Sequence, residues 1–239
     1  MSAALEIHVP IQPEVLFTIA GVIPVTNTLF TSWIVIVVLI AFALISTRKM
    51  QAVPAGLQNV AETIVEVLLA LGEQVAGPRA RSFLPLVATL FLYILFSNWI
   101  GILPGFGSIP ALRSSNSDLS ITAAMALTVF VWVQVVGFRA DPKTYFIKFL
   151  WPGMLIEIVT ELARPVSLAF RLWGNIIAGF ILVEVMLQIA PVLVPAAFLA
   201  LELGVGAIQA LIFAVLTLAF LSMATAHGGE SHAEAAHAH

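Results

Sequence analysis

The sequence predicts an all-α integral membrane protein with about five transmembrane helices, one interfacial amphipathic helix and a long, steeply tilted C-terminal helical hairpin. Hydrophobic residues make up 61% of the 239 residues, charged residues make up 10%, and the mean hydropathy is +1.07. Soluble domains contain roughly 45–50% apolar and about 25% charged residues. The apolar runs are continuous rather than alternating, which favours helices over a β-barrel. We therefore interpret residues 1–239 as a single membrane domain.

The first half of the chain contains three predicted spans and the amphipathic helix. The first span covers residues 28–47 and ends before Arg48. In residues 54–75, glutamates are spaced among apolar residues, so this segment is predicted to lie at the membrane interface. The next spans cover residues 83–103 and 119–138, and a loop rich in Gly, Pro and Ser separates them.

The second half is predicted to form the hairpin, over residues 145–225, with its turn at Pro191 and Pro195. A continuous helix over residues 145–189 would be about 67 Å long, and one over 196–225 about 45 Å. The hydrocarbon core of a bilayer is only ~30 Å thick. The excess length predicts a hairpin that is strongly inclined and presents its long side to a neighbouring curved surface.

The C-terminal residues 226–239 are predicted to form a flexible cytoplasmic tail. They contain most of the five histidines, together with Glu, Gly and Ala. The simpler interpretation is a disordered segment, and weak metal binding is the alternative.

The positions of the basic residues predict the orientation of the chain. Seven of the ten lysines and arginines lie on one side of the five-span arrangement: Arg48, Lys49, Arg79, Arg81, Arg139, Lys143 and Lys148. The opposite side receives Arg113, and the remaining two arginines lie at membrane depth. Because cytoplasmic loops are enriched in Lys and Arg, the N-terminus is predicted outside and the C-terminus in the cytoplasm.

Several function classes are disfavoured by composition. The net charge of −3 gives no indication of a nucleic-acid partner. The chain has no cysteine, so disulfide and thiol chemistry are excluded. No basic segment precedes the first apolar run, so we do not expect a cleaved signal peptide.

The hairpin carries charged residues at membrane depth, where each costs ~2.5–3.5 kcal/mol on insertion scales. Glu157 and Glu161 lie toward the cytoplasmic end, and Arg171 follows in an otherwise apolar run. Glu184 and Glu202 lie toward the outer end, each nine residues from a turn centred near residue 193, which predicts similar depths. Coupled proton transfer must not allow protons to leak straight across the membrane. It therefore requires two polar paths that are offset from each other and interrupted by a fixed cation, and these residues fit that pattern.

Three alternatives compete with a proton path. The carboxylates and arginines, including Arg164, could pair only to neutralise one another, as in a structural membrane anchor. Gln209 and Asn98 could form hydrogen bonds between helices rather than transport contacts. A secondary transporter would be expected to show inverted repeats, and the sequence has no recognisable repeat.

Two motifs in the hairpin resemble a known family. The first is Pro165-Val-Ser-Leu-Ala-Phe-Arg171-Leu-Trp-Gly-Asn175-Ile-Ile-Ala-Gly179, and the second begins Gln209-Ala-Leu-Ile-Phe-Ala-Val-Leu-Thr. Both resemble subunit a of the F-type ATP synthase membrane sector. The resemblance extends, in the same order, over residues 25–225.

The resemblance implies roles for individual residues. Arg171 matches the arginine that faces each passing c-ring carboxylate and separates two half-channels, and Asn175 and Gln209 match polar residues beside it. Glu157 matches a carboxylate of the cytoplasmic half-channel, and Asn98 matches a polar residue on the outer side.

One pair of positions departs from the family pattern. Phe180 stands where some members carry an acid, and Glu202 stands where they carry a histidine. The outer acidic function is therefore expected at Glu202, with help from Glu184.

The resemblance also implies the setting of the chain. It predicts a proton-translocating stator subunit, not itself catalytic toward ATP, in a bacterial plasma (inner) membrane. The implied partners are the c-ring, b-type peripheral stalk subunits and the lipid bilayer, with no cofactor or metal. The choice between H⁺ and Na⁺, the ring size and the physiological direction are left open.

Overall fold

The protein is described by a computed structural model over residues 13–19, 23–48, 50–102, 113–140, 142, 154–189 and 193–237. The described residues form six α-helices, a β-hairpin and two short 3₁₀ turns. The helices are α1 Asn27–Thr47, α2 Leu57–Ala76, α3 Ala80–Ile102, α4 Leu119–Ala140, α5 Met154–Ile189 and α6 Leu193–His237. The 3₁₀ turns are Gly77–Arg79 and Ser115–Ser117.

The predicted class, an all-α membrane protein, is confirmed. Five helical segments among the described residues are long and apolar enough to cross a membrane. They are Asn27–Thr47, Leu57–Ile102, Leu119–Ala140, Ile158–Leu187 and Val194–Thr225. The segment Leu57–Ile102 contains α2, the 3₁₀ turn and α3 in succession.

A β-hairpin before α1 was not predicted from the sequence. Strand β1, Val15–Ile19, pairs antiparallel with β2, Ile23–Thr26. The strand sequences are rich in β-branched and aromatic residues, which favour strands, but each is too short to give a clear alternating pattern. Strand β2 leads directly into α1, where the Thr26 hydroxyl accepts a hydrogen bond from the Leu29 amide at 3.3 Å and so caps the helix.

Helix α2, the predicted amphipathic helix, packs along one face against α3 and α6. Leu68 and Gly72 are buried, whereas Glu66 and Glu73 are exposed, as an amphipathic pattern requires. A Cβ atom on Gly72 would lie 3.1 Å from the Ala80 Cβ, so a glycine permits close packing there. The position of α2 relative to a membrane surface stays a prediction.

The core lies between α3, α4, α5 and α6. Its most buried side chains are Val87, Ile94, Val129, Leu172, Phe213 and Leu218. Apolar side chains therefore face inward on every one of these helices, and many others remain exposed on the outer surface. In a membrane protein that exposed apolar surface is the expected contact with lipid or with partner helices.

Helix α5 has 36 residues and α6 has 45, so straight helices of these lengths are about 54 Å and ~67 Å long. Helix α5 passes through Pro165 without interruption. The predicted beginning of this run, from residue 145, and Pro191 at the turn lie outside the described residues. Pro195 lies in the first turn of α6, where its missing N–H leaves no helical hydrogen bond unmade.

The helical backbone of α6 continues to His237, past the predicted end of the hairpin near residue 225. The predicted flexible tail 226–239 is thus largely helical in backbone. Alanine, the strongest helix former, recurs through this segment and explains the extension.

Candidate functional site

Arg171 lies on the exposed side of α5. Its neighbours in sequence, Phe170 and Trp173, form an edge-to-face aromatic pair with ring centroids 6.1 Å apart. Leu172 is fully buried, so the backbone at this point is fixed by core packing while the Arg171 side chain faces outward. Among the described residues, no carboxylate lies within ion-pair distance of the Arg171 guanidinium.

Arg171 stands in a stripe of exposed residues with small side chains. One helical face of α5 carries Ala163, Ser167, Arg171 and Ala178. Residues three or four apart share a helix face, so these positions form a continuous surface. Small residues allow the backbone of another helix to approach closely. The exposed face of α5 therefore combines small side chains with one cation, Arg171.

Arg164, seven residues earlier on α5, has a different environment. Its Nη1 donates to the Glu161 Oε1 at 3.1 Å, and its guanidinium lies 5.3 Å from the centroid of the Phe220 ring in α6. Glu161 is only 5% exposed and also accepts from the Gln134 Nε2 at 3.3 Å. Glu161 and Arg164 therefore neutralise each other inside the helix bundle, as the structural alternative predicts for this pair.

The spacing of seven residues between Glu157, Arg164 and Arg171 predicts one stripe along the helix, and the structure divides this stripe. Arg164 turns toward α4 and α6, while Arg171 faces outward. A seven-residue step drifts by ~20° around a helix, and the Glu161 carboxylate draws the Arg164 side chain inward. Glu157 lies in the first turn of α5, and its side chain falls outside the described part of the structure.

A cavity between α5 and α6 contains the Glu202 carboxyl. It has a volume of about 200 Å³, enough for several water molecules. Asn175 and Gly179 of α5 line one wall, and Glu202 and Val205 of α6 line the other. The other side chains that line the cavity are apolar, so the Asn175 amide and the Glu202 carboxyl set its chemistry.

Gly179 makes room for the Glu202 carboxyl. A Cβ atom at residue 179 would lie 2.5 Å from the Glu202 Oε1 and 2.8 Å from its carboxyl carbon. The contact also defines the register of the hairpin. It places Gly179 of α5 opposite Glu202 of α6, so the register is centred, in sequence number, between residues 190 and 191. This register differs from the predicted one, centred near residue 193, because α6 begins at Leu193 rather than after Pro195.

We predict that Gly179→Ala displaces the Glu202 carboxyl and reduces proton flow through the protein by about tenfold. The methyl group would overlap the flexible end of the Glu202 side chain and so move the carboxyl, and a misplacement of about 1 Å in a reacting group can cost up to about a hundredfold in rate. Passive proton flow through reconstituted membrane sector measures the effect. Gly174→Ala is the matched control, because its Cβ would meet nothing within 4 Å. Equal flow in both variants would contradict the prediction.

Glu184 does not line the cavity that holds Glu202. It is half-buried on α5, more than one helical turn beyond Gly179. The shifted register explains this difference from the predicted pairing, because Gly179 occupies the place opposite Glu202. The geometry thus assigns Glu202 and Glu184 to different environments.

Asn98 is used as a link between helices. It is 1% exposed, its Nδ2 donates to the Gly206 carbonyl oxygen at 3.0 Å, and its Oδ1 accepts from the Asn116 Nδ2 at 2.7 Å. A Cβ on Gly206 would lie 3.1 Å from the Asn98 Cβ, so α3 and α6 pack tightly here. These contacts favour the helix–helix alternative for Asn98.

Gln209 is 7% exposed on α6, and its Nε2 has no hydrogen-bond partner among the described residues. A buried amide nitrogen without a partner costs ~1–3 kcal/mol. Gln209 therefore differs from Asn98, whose amide nitrogen and oxygen both have partners.

One polar contact at the Phe180 turn of α5 was not predicted from the sequence. Arg113, predicted only to lie on the opposite side from the seven basic residues, lies with its guanidinium 5.4 Å from the centroid of the Phe180 ring. Burial lowers the pKa of Arg113, and the carboxylates of Asp118 and Glu14 oppose that shift. An arginine followed five residues later by an aspartate was the available signal, but the contact with Phe180 joins distant parts of the sequence.

Comparison with known proteins gives matches over most of the chain. The family model described as ATP synthase A chain matches residues 29–222. The chain is 36% identical over 212 residues to ATP synthase subunit a of Gloeobacter violaceus, covering 86% of each chain. It is 34% identical over 216 residues to that of Moorella thermoacetica, covering 89% of this chain and 96% of the relative. It is 37% identical over 223 residues to that of Campylobacter jejuni, covering 88% and 96%.

Proposed function

The chain belongs to the ATP synthase subunit a family, the proton-translocating membrane-sector subunit of the F-type enzyme, and we propose that it loads and unloads protons on a rotating c-ring through two offset half-channels. Arg171 separates the two half-channels in this proposal. The observation that carries it is the exposed position of Arg171, with no ion pair among the described residues, on a helix face whose other residues are small and uncharged.

The partner surface of the proposal is the exposed side of α5 and α6. An unpaired arginine at membrane depth costs ~2.5–3.5 kcal/mol on insertion scales, and a carboxylate on a neighbouring protein offsets that cost. The c-ring supplies such a carboxylate on each subunit in this proposal. Arg171 presents its guanidinium, a planar group that can bind a carboxylate through two hydrogen bonds, to every c-ring carboxylate that passes.

The outer half-channel is assigned to the cavity at Glu202. A proton from outside reaches Glu202 through this cavity and passes to a c-ring carboxylate. Once protonated, that carboxyl is neutral and enters lipid at a far lower cost than its ionised form. The ring then rotates the site away from Arg171.

The cytoplasmic half-channel is assigned to the Glu157 end of α5. After nearly a full turn, the protonated site meets this path and releases its proton to the cytoplasm. The Glu161 carboxylate is held by Arg164 and Gln134, so in this proposal it stabilises the wall of the path while Glu157 carries protons. The membrane potential contributes ~2.3 kcal/mol per elementary charge per 100 mV.

The orientation and inclination of the hairpin are part of the proposal. The N-terminus lies outside and the C-terminus in the cytoplasm, as the distribution of basic residues predicts. Helices α5 and α6, with 36 and 45 residues, exceed the ~30 Å core and lie obliquely, which leaves a water-filled wedge toward each face. Contact with b-type peripheral stalk subunits is proposed from family membership alone.

Disulfide cross-linking tests the ring-facing surface. The chain has no cysteine, so single cysteines are unambiguous probes. We expect Ser167→Cys and Ala178→Cys, both on the exposed face of α5, to cross-link to cysteines on the outer helix of the c subunit. Thr128→Cys, exposed on α4, is the matched control and should not cross-link. Equal yields from α4 and α5 would exclude this face as the ring contact.

A further inference from the structure

We propose that Arg113 is a positioning residue for the outer half-channel. Its guanidinium holds the Phe180 ring and so fixes the turn of α5 in which Gly179 faces the Glu202 carboxyl. The inference rests on the proposed role of Glu202 and adds a residue from outside the hairpin. It requires that Arg113 be fixed in place, that Phe180 be its contact, and that movement at Phe180 reach the cavity.

Two carboxylates, those of Asp118 and Glu14, attract the positively charged Arg113 guanidinium. Asp118 is itself fixed, because its Oδ2 accepts from the Thr28 Oγ1 at 3.0 Å and its Oδ1 accepts from the Ser120 amide at 2.9 Å. The guanidinium is therefore attracted toward Asp118, which is itself fixed at the beginnings of α1 and α4.

The backbone that follows Arg113 is fixed against α3. The Ser114 Oγ donates to the Ser97 carbonyl oxygen at 3.0 Å, and the Ser97 and Ser115 hydroxyls lie 2.8 Å apart. Ser114 and Ser115 are both buried. A Cβ on Gly101 would lie 2.7 Å from the Ser114 Cβ, so this segment is seated closely on α3.

The contact with α5 is a cation over an aromatic face. The Arg113 carbon at the centre of the guanidinium lies 5.4 Å from the Phe180 ring centroid, within the ~6 Å range of such interactions. Partial burial of Arg113 strengthens the attraction, because less water competes for the charge. The positive charge thus anchors α5 at Phe180, whose side chain has no hydrogen-bonding group.

Phe180 transmits this restraint to the cavity because it directly follows Gly179. The Glu202 carboxyl lies so close to Gly179 that one added methyl group would displace it. A small rotation of α5 at Phe180 therefore changes the space available to the carboxyl. Arg113 acts on proton entry through this helix turn and not by contact with the transferred proton.

The test uses the assembled complex with Arg113→Gln, Phe180→Leu and the double variant. Passive proton flow through the membrane sector, driven from the outer side by an imposed potential, is measured for each. We expect about a fivefold loss in each single variant and no further loss in the double variant, because both remove the same interaction. Arg113→Lys, which keeps the cation, should restore most of the flow.

Controls separate positioning from assembly and from the half-channel itself. Arg81→Gln, which removes an exposed cation elsewhere, should leave the flow unchanged, and the amount of subunit in the purified complex reports folding. Unchanged flow in Arg113→Gln, independent losses that multiply in the double variant, or failure of Arg113→Lys to restore flow would each overturn the inference. If Glu202→Gln blocks flow while Arg113→Gln does not, this inference alone fails. Full flow in Glu202→Gln instead removes the half-channel on which it rests.

Discussion

Arg171→Ala is expected to abolish proton-coupled ATP synthesis and ATP-driven proton pumping while the complex still assembles. Assembly should survive because the Arg171 guanidinium forms no ion pair among the described residues, so its removal leaves none of their carboxylates unpaired. Loss of a preorganised charged group in a low-dielectric site costs at least about a hundredfold. Pumping by inverted membrane vesicles and ATP synthesis under an imposed gradient measure the two activities.

Two other variants make the Arg171 result specific. Arg164→Ala removes an arginine from the same helix and breaks the buried ion pair with Glu161, which costs roughly 3–5 kcal/mol, so the amount of assembled complex should fall. Arg171→Lys keeps the charge but loses the planar guanidinium. A purely structural anchor should tolerate that exchange, and a separator of half-channels should not. Normal pumping by an assembled Arg171→Ala complex would refute the assignment.

Glu202→Gln is expected to give the second largest effect, a severe loss of proton entry from the outer side. Glu202 is the ionisable group that lines the cavity between α5 and α6, and glutamine matches its shape without exchanging a proton. Relaying a proton through a positioned side chain contributes typically 10²–10⁴-fold, so we expect a loss of about a hundredfold. Passive proton flow through the membrane sector measures it.

Glu184→Gln is the matched comparison for Glu202→Gln. Glu184 is half-buried on α5 and does not line the cavity, so its replacement should slow proton entry more mildly. Equal losses in the two variants would show that both carboxyls belong to one path. Unchanged flow in Glu202→Gln would show that the outer path runs elsewhere in the bundle.

Hydropathy alone predicted most helices, because burial in lipid demands long apolar runs. The predicted span 28–47 lies within α1, and the span 119–138 lies within α4. These are local properties of the chain, which the sequence records directly.

Features that depend on distant contacts were not predicted. The β-hairpin consists of strands too short for a period-two signal, and the contact of Arg113 with Phe180 requires the folded arrangement of α5. The register of α5 on α6 could not be read from the prolines, because a proline is accepted in the first turn of a helix as readily as before it. The pairing of Glu161 with Arg164 was available from their spacing of three, which favours ion pairs on a helix.

The Arg171 guanidinium, which has no ion pair among the described residues, also affects the subunit before it joins the complex. A newly inserted copy exposes this guanidinium to lipid at a cost of ~2.5–3.5 kcal/mol, which its own described residues do not offset. That cost corresponds to a factor of about a hundred in equilibrium population. In the proposed complex, docking onto a ring of carboxylates removes this cost, so the side chain proposed to work during rotation would also favour the completed complex over the orphan subunit. The proposal therefore implies that biogenesis favours delivery of this chain to a ring that is already formed.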